Sequence, residues 1–138
     1  MIRTRLVVLA LAAVLAACAG PATAGDDPLT VGRDVYGRIC ASCHGPTGEG
    51  GAGPDLSGVL ETFPTCEQHI LWIELGSNRW KEEVGRTYGA TDKEVSGVMP
   101  SFQESLTADE IAQVAAYERV RFGGLDGEGA VAQCEGGS

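Results

Sequence analysis

The sequence of 138 residues is poor in aromatic side chains, at 6%, and holds only two histidines, two methionines and two tryptophans. A chain of this size supports one domain with limited core material of its own, which excludes a multidomain enzyme. Basic residues are scarce as well, with 10 Lys and Arg against 19 Asp and Glu and a net charge of −9. A field of that sign repels phosphates, and no basic run or basic helix face interrupts it, so nucleic acid is not expected as a partner. Beyond the N-terminus no apolar run approaches the roughly 20 residues that a membrane-crossing helix needs. Glycine and proline are plentiful, at 20 and 6, which implies many turns and argues against a large sheet or a long bundle. Something besides apolar burial is needed to hold such a chain together.

The N-terminus carries Arg3 and Arg5, then an unbroken apolar run from Leu6 to Ala17, then small residues. This pattern reads as an export signal over residues 1–17. Leu15-Ala16-Ala17-Cys18 resembles the lipobox of bacterial lipoproteins, which makes Cys18 the expected lipidated first residue. Ala22-Thr23-Ala24 offers a second cleavage site, after which Cys18 would be lost. Residues 18–29 are small and polar, as a flexible tether would be.

Cys18 set aside, four cysteines remain in an oxidising setting: Cys40, Cys43, Cys66 and Cys134. Cys40-Ala41-Ser42-Cys43-His44 spells CxxCH, the attachment motif of c-type haem. On a helix, positions i and i+3 share one face. Two thiols so placed can add to the two vinyl groups of haem, and the next residue sets its imidazole under the iron. Three other uses of these cysteines stay open at this point. Cys66 and His69, with Cys40 and Cys43, have the spacing of a Cys3His zinc site. The CxxC could be a thioredoxin-like redox pair, although no apolar strand run precedes Cys40. A direct Cys40–Cys43 disulfide would close a small, strained ring. For a second axial ligand, Met99, held by the following Pro100, is favoured over His69, the one other histidine.

Taken together, four separated features over about residues 30–124 resemble the small class I c-type cytochromes, monohaem electron carriers of bacterial exteriors and mitochondria. They are Cys40 to His44; Gly53-Pro54-Asp55-Leu56, similar to the family's GPxL segment; Met99-Pro100, similar to its distal ligand loop; and Leu106 to Phe122, similar to its C-terminal helix. The resemblance implies an all-α cytochrome c fold, three to five short helices around one covalently bound haem c, with the N- and C-terminal helices crossing. It implies thioether bonds from Cys40 and Cys43 and axial iron ligands His44 and Met99. It also implies that the Pro54 carbonyl accepts the Nδ1 hydrogen of His44, which fixes the ring's tautomer. Cys66 and Cys134 are required by no haem motif, and a disulfide between them is expected. That bond would tie a Gly-rich tail, residues 125–138, to the start of the middle helix, and contribute roughly 4 kcal/mol at most in the loop-entropy model.

The residues themselves agree with this reading. Gly32, Tyr36, Ile39, Cys40 and Cys43 fall on one helical face between Val31 and Cys43, and the resemblance implies that Gly32 lets the two terminal helices cross closely. Thr107-Ala108-Asp109-Glu110 is a capping box, followed by the stripe Ile111, Val114, Ala115 and Tyr117. Cys66 to Leu75 reads as a short helix stopped by Gly76, offering Ile70, Leu71, Ile73 and Leu75 to the haem edge. Trp72 and Trp80 are expected in packing, with Arg79 and Trp80 as candidates for contact with a haem propionate. The charged stretch from Ser77 to Val98 reads as solvated surface.

Two axial protein ligands leave no open position on the iron, so the expected function is outer-sphere, one-electron transfer in a respiratory or periplasmic chain, not catalysis. Met ligation and burial both raise the reduction potential. The expected partners are redox proteins with a basic docking surface. The expected location is the periplasm or the outer face of the cytoplasmic membrane, with membrane association through lipidated Cys18. Two other readings remain: a fixed haem subunit of a larger oxidoreductase, and a gas-binding haem sensor in which Met99 leaves the iron.

Overall fold

The computed structural model describes residues 27–135. The export signal, Cys18, both cleavage sites, most of the tether and the last three residues lie outside the described residues.

Asp27 opens the fold by accepting the backbone N–H of Leu29 on its carboxylate and that of Thr30 on its carbonyl. Helix α1 (Thr30–Val35) then runs through a π-helical turn (Tyr36–Cys40) into α2 (Ala41–His44) as one rod. The π turn inserts one residue into the helical repeat, a distortion frequent at functional sites, and it lies immediately before the CxxCH segment. Gly45, at φ 80°, ends the rod where only glycine sits without strain.

Helix α5 (Ala108–Arg121) starts at the capping box as expected. Thr107 Oγ1 accepts from the Glu110 N–H at 3.2 Å, and the Glu110 carboxylate accepts from the Thr107 N–H at 2.9 Å. Ile111, Val114 and Ala115 are buried, and α5 packs across α1. The crossing depends on Gly32, where a Cβ would collide with the Gln113 carbonyl oxygen and lie 2.8 Å from Tyr117 Cβ. Tyr36, Tyr117 and Phe122 close the crossing with ring centroids 4.9 to 5.9 Å apart.

After the short α3 (Val59–Thr62), the middle helix α4 (Cys66–Glu83) extends beyond its expected end. Gly76 does break it, with φ 62° and ψ −179°, but a second helical stretch resumes at Ser77. The part of 77–98 expected as solvated surface therefore includes buried Ser77, Trp80 and Val95, and only the remainder is loop. Leu71, expected toward the haem, is 37% exposed, because the buried face of α4 runs through Cys66, His69, Ile73, Ser77 and Trp80. Phe63, Trp72, Trp80 and Tyr88 form an aromatic cluster with centroids 5.2 to 6.0 Å apart.

The Gly-rich segment read as a tail folds from Gly127 to Glu135 as α6, packed on α5 with Ala130 and Cys134 buried. Cys134 is bonded to Cys66, their Cα atoms 5.2 Å apart. Arg119, 2% exposed, donates to the carbonyls of Phe63 (2.7 Å), Pro64 (3.0 Å) and Thr65 (3.4 Å) and to Gln133 on α6. The segment between α3 and α4 is thus tied to both C-terminal helices. Among the described residues there is one isolated bridge, Thr87 with Glu94, and no strand. The short α2, α3 and α6 bring the count above three to five helices without changing the class.

Candidate haem-binding site

The end of the N-terminal rod, the loop after it, α4 and the segment before α5 enclose a cavity of about 690 Å³. Its wall includes Cys40, Cys43, His44, Pro54 and Met99, which the chain brings together from three separate stretches. Cys40 is buried and Cys43 exposed, and both thiols are free. Burial, with Glu118 adding to it, pushes the Cys40 thiol up to about 12.

The His44 ring is oriented by short-range structure. Its Nδ1 lies 2.8 Å from the Pro54 carbonyl oxygen, an arrangement that leaves Nε2 free to ligate. The loop that delivers Pro54 is pinned to the helix end by Gly50 N–H to the His44 carbonyl at 2.8 Å and Gly53 N–H to the Cys43 carbonyl at 2.9 Å. A Cβ on Gly53 would sit 2.9 Å from His44 Cε1, so the absence of a side chain lets the loop lie against the ring. Within this loop the Glu49 carboxylate accepts from the N–H and Oγ1 of Thr47, both at 2.8 Å. Hydrogen bonds from its own backbone and from Thr47 hold its carboxyl below the usual range, and those from Ser57 do the same for Asp55.

Met99 is presented by a segment fastened to the break in α4. The Ser77 N–H donates to the Met99 carbonyl at 2.9 Å, and Ser77 Oγ accepts from the Met99 N–H at 3.1 Å. Gly76 backs this contact, since a Cβ there would lie 2.5 Å from the Met99 carbonyl oxygen. Ser101 Oγ donates to the Glu74 carbonyl at 2.5 Å and Phe102 N–H to that of Ile73 at 3.2 Å. None of these anchors was singled out from sequence.

His69 also reaches the cavity wall, but its Nε2 is 3.0 Å from Glu118 Oε2, both side chains are buried, and its ring stacks on Phe63. The Cys3His zinc arrangement does not form, because Cys66 is bonded to Cys134 and His69 is paired with Glu118. Arg79 and Trp80 are not part of the cavity wall. Arg79 Nε donates to Glu83 at 2.8 Å, and the single indole N–H of Trp80 donates to the Thr87 carbonyl at 2.9 Å.

The cavity has the size of a small-molecule site, and it combines two free thiols, an imidazole of fixed orientation and a thioether. Residues 27–117 match the family described as cytochrome c oxidase, cbb3-type, subunit III. The chain belongs to this c-type cytochrome family. The cytochrome is 30% identical over 98 residues to the quinohemoprotein alcohol dehydrogenase ADH IIB of Pseudomonas putida, a match covering 70% of this chain and 12% of that protein. The chain therefore corresponds to a small part of that relative's length. The crystal structure of the c-type cytochrome XoxG from Methylobacterium extorquens AM1 superposes with a TM-score of 0.50 at 23% identity, over 70% of this chain and 52% of that one. This likeness supports the all-α cytochrome c fold. Family membership brings a covalently bound haem c with iron, and the donor set in the cavity fits it.

Proposed function

We propose that this cytochrome carries single electrons on one haem c held by thioethers to Cys40 and Cys43, with His44 and Met99 as axial ligands. The observation that carries the reading is the convergence of those four side chains on one cavity, with His44 oriented by the Pro54 carbonyl. Bound there, haem supplies reversible one-electron chemistry. The chain supplies the ligands, the thiols that lock the cofactor in, and an apolar surround of Phe63, Trp72, Ile73 and Phe102 that raises the potential.

The proposed setting is the periplasm or the outer face of the cytoplasmic membrane, reached through the signal at residues 1–17 and a lipid on Cys18, with residues 18–29 as tether. The acidic charge suits a redox partner with a basic docking surface. Val98, 83% exposed beside Met99, gives such a surface an apolar contact at the cavity rim.

A second reading, a fixed haem subunit of a larger oxidoreductase, is favoured by the small share of the Pseudomonas dehydrogenase that this chain matches. A monomeric mass in detergent-free solution is expected for the carrier, and co-purification in fixed ratio with a larger enzyme for the subunit.

Oxidised and reduced absorption spectra test the site. The expected result is a haem c spectrum with the weak far-red ferric band of sulfur ligation. A haem spectrum without that band would overturn Met99 ligation in favour of His69 or an open position. Intact mass tests the anchor: a chain beginning at Cys18 with a lipid adduct is expected, and one beginning at Gly25 refutes it.

A further inference from the structure

Residues 86–96 form a strap along one side of the cavity. Its two limbs are joined by the bridge of Thr87 with Glu94, by Val95 N–H to the Arg86 carbonyl at 2.8 Å and by Tyr88 N–H to the Lys93 carbonyl at 2.9 Å. The strap rests on both neighbouring helices. Ala90 N–H donates to the Thr62 carbonyl of α3 at 2.8 Å, a Cβ on Gly89 would collide with that carbonyl oxygen, and the Trp80 indole of α4 donates to the Thr87 carbonyl at 2.9 Å. Tyr88, Thr91, Lys93 and Ser96 of this strap stand on the cavity wall.

Several hydroxyl donors of the wall are already committed. Tyr88 donates its hydroxyl to the Ser96 carbonyl at 3.1 Å, Thr91 Oγ1 donates to the Tyr88 carbonyl at 2.8 Å, and Ser42 Oγ donates to the Ile39 carbonyl at 2.9 Å. Lys93 differs. Its backbone N–H is bonded to Thr91 Oγ1 at 3.3 Å, which fixes its place in the strap. Its exposed ammonium has no ion pair or hydrogen bond among the described residues, although Asp92 and Glu94 flank it in the chain. Histidines aside, it is also the one basic side chain on a wall whose other charged groups are the carboxylates of Asp55 and Glu118.

Haem brings two carboxylates of its own, on the ring edge opposite its vinyl groups. Thioethers at Cys40 and Cys43 therefore turn them away from the helix end that carries those cysteines. Asp55 and Glu118 repel them by like charge, and a partly apolar cavity penalises any carboxylate left without a donor. We propose that Lys93 binds one haem carboxylate: its ammonium donates a charge-assisted hydrogen bond to a propionate oxygen and so fastens the strap over the cofactor. The contact expected of Arg79 or Trp80 thereby falls to a residue of the loop that Trp80 holds in place. The ammonium also offsets a negative charge that favours oxidised iron, so it raises the share of reduced protein at a given potential. The inference rests on haem occupying this cavity.

The test uses the full-length, haem-loaded protein. The chain has two lysines, Lys81 and Lys93, so nitrogen-15 labelling of lysine leaves two side-chain ammonium signals to tell apart by NMR. They are read in the reduced state, which two axial ligands keep diamagnetic, and Lys93→Arg identifies one by its loss. Lys93 is expected to exchange slowly with water and to show cross-relaxation to the propionate methylene protons of haem. Two ammonium groups that exchange alike, or a Lys93 signal without that contact, overturn the proposal. Spectroelectrochemical titration gives a second reading. At fixed potential the ratio of reduced to oxidised protein should fall about threefold in Lys93→Gln and stay near the wild-type value in Lys93→Arg. The fall should persist in about 1 M salt, where the screening length is about 3 Å. A free surface charge would lose its effect there, and that result, or no fall at all, overturns the proposal. A wild type with a haem spectrum but a freely exchanging Lys93 refutes this inference alone. A wild type without any haem spectrum overturns the cofactor reading itself, and this inference with it.

Discussion

The two sides of the cavity are built in different ways. On the side of His44, thiols, imidazole and the Pro54 carbonyl come from one stretch of chain, and the hydrogen bonds that set the ring span ten residues or fewer. On the side of Met99, the proposed ligand stands on a segment whose anchors are 22 residues away at Ser77 and 27 away at Glu74. The first arrangement can form from local structure. The second exists only once α4 has broken at Gly76 and its second half has packed. In the proposed site, cofactor capture and the second ligand are thereby built separately within one small domain.

The largest contrast is expected from removing each ligand. His44→Ala should prevent assembly of a normal haem protein, seen as loss of haem absorption and of the covalent adduct in intact mass. Met99→Ala should keep the adduct while losing the far-red ferric band and lowering the midpoint potential.

Next in size is the pair Cys66→Ser with Cys134→Ser, expected to cost up to about 4 kcal/mol in denaturant unfolding. Opening the His44–Pro54 side should not account for that loss, because the bond joins α4 to α6.

Gly76→Ala strikes the Met99 side alone. A non-glycine residue at φ 62° costs roughly 1–3 kcal/mol, and the added Cβ displaces the Met99 carbonyl, so the far-red band should weaken before stability fails. Ser77→Ala is milder, removing the hydroxyl that receives the Met99 N–H. A loss of about 1 kcal/mol should let added imidazole bind the ferric protein about fivefold more tightly, and Ser77→Thr should restore most of it.

The smallest effect is on the His44 side, and it depends on pH. Glu49 has a folded-state pKa below its ordinary value of about 4.3. Its contribution is therefore fully present above that ordinary value and is lost as pH falls through the lower, folded value. The denaturation midpoints of wild type and Glu49→Gln should differ near neutrality and converge in acid.

The same contrast explains what could be read from the sequence. CxxCH and the capping box at Thr107 are encoded in short spacings whose residue types carry their meaning, whereas the Pro54 segment and the close approach at Gly32 are legible through the family resemblance. The Ser77 clamp is not, because a serine inside a charged stretch has no local mark of a contact 22 residues away. Gly76 was legible as a stop but not as a kink, since the helix that resumes is supported by burial of Trp80 in an aromatic cluster. Helix α6 was missed because GEGAVAQCE has weak helical propensity and little apolar area; packing on α5 and the bond to Cys66 supply what the segment lacks. Trp80 reads as an available donor only while its partner Thr87 is unknown, and Arg79 stands away from the cavity wall with its Nε on Glu83. The Glu118–His69 pair did leave a trace: Glu118 sits on the apolar stripe of α5, where a charge demands a partner.

Under the proposed export, the bond between Cys66 and Cys134 also bears on the order of events that follow it. Cofactor attachment and disulfide formation draw on the same small set of thiols, which the proposed periplasmic setting would oxidise. Cys134 would be the last of the four to emerge from a chain exported N-to-C, so until it arrives the sulfurs of the domain that Cys66 can meet are Cys40 and Cys43, the proposed haem thiols. Consuming Cys40 and Cys43 early, as thioethers that no oxidant can pair, leaves Cys66 and Cys134 with one choice.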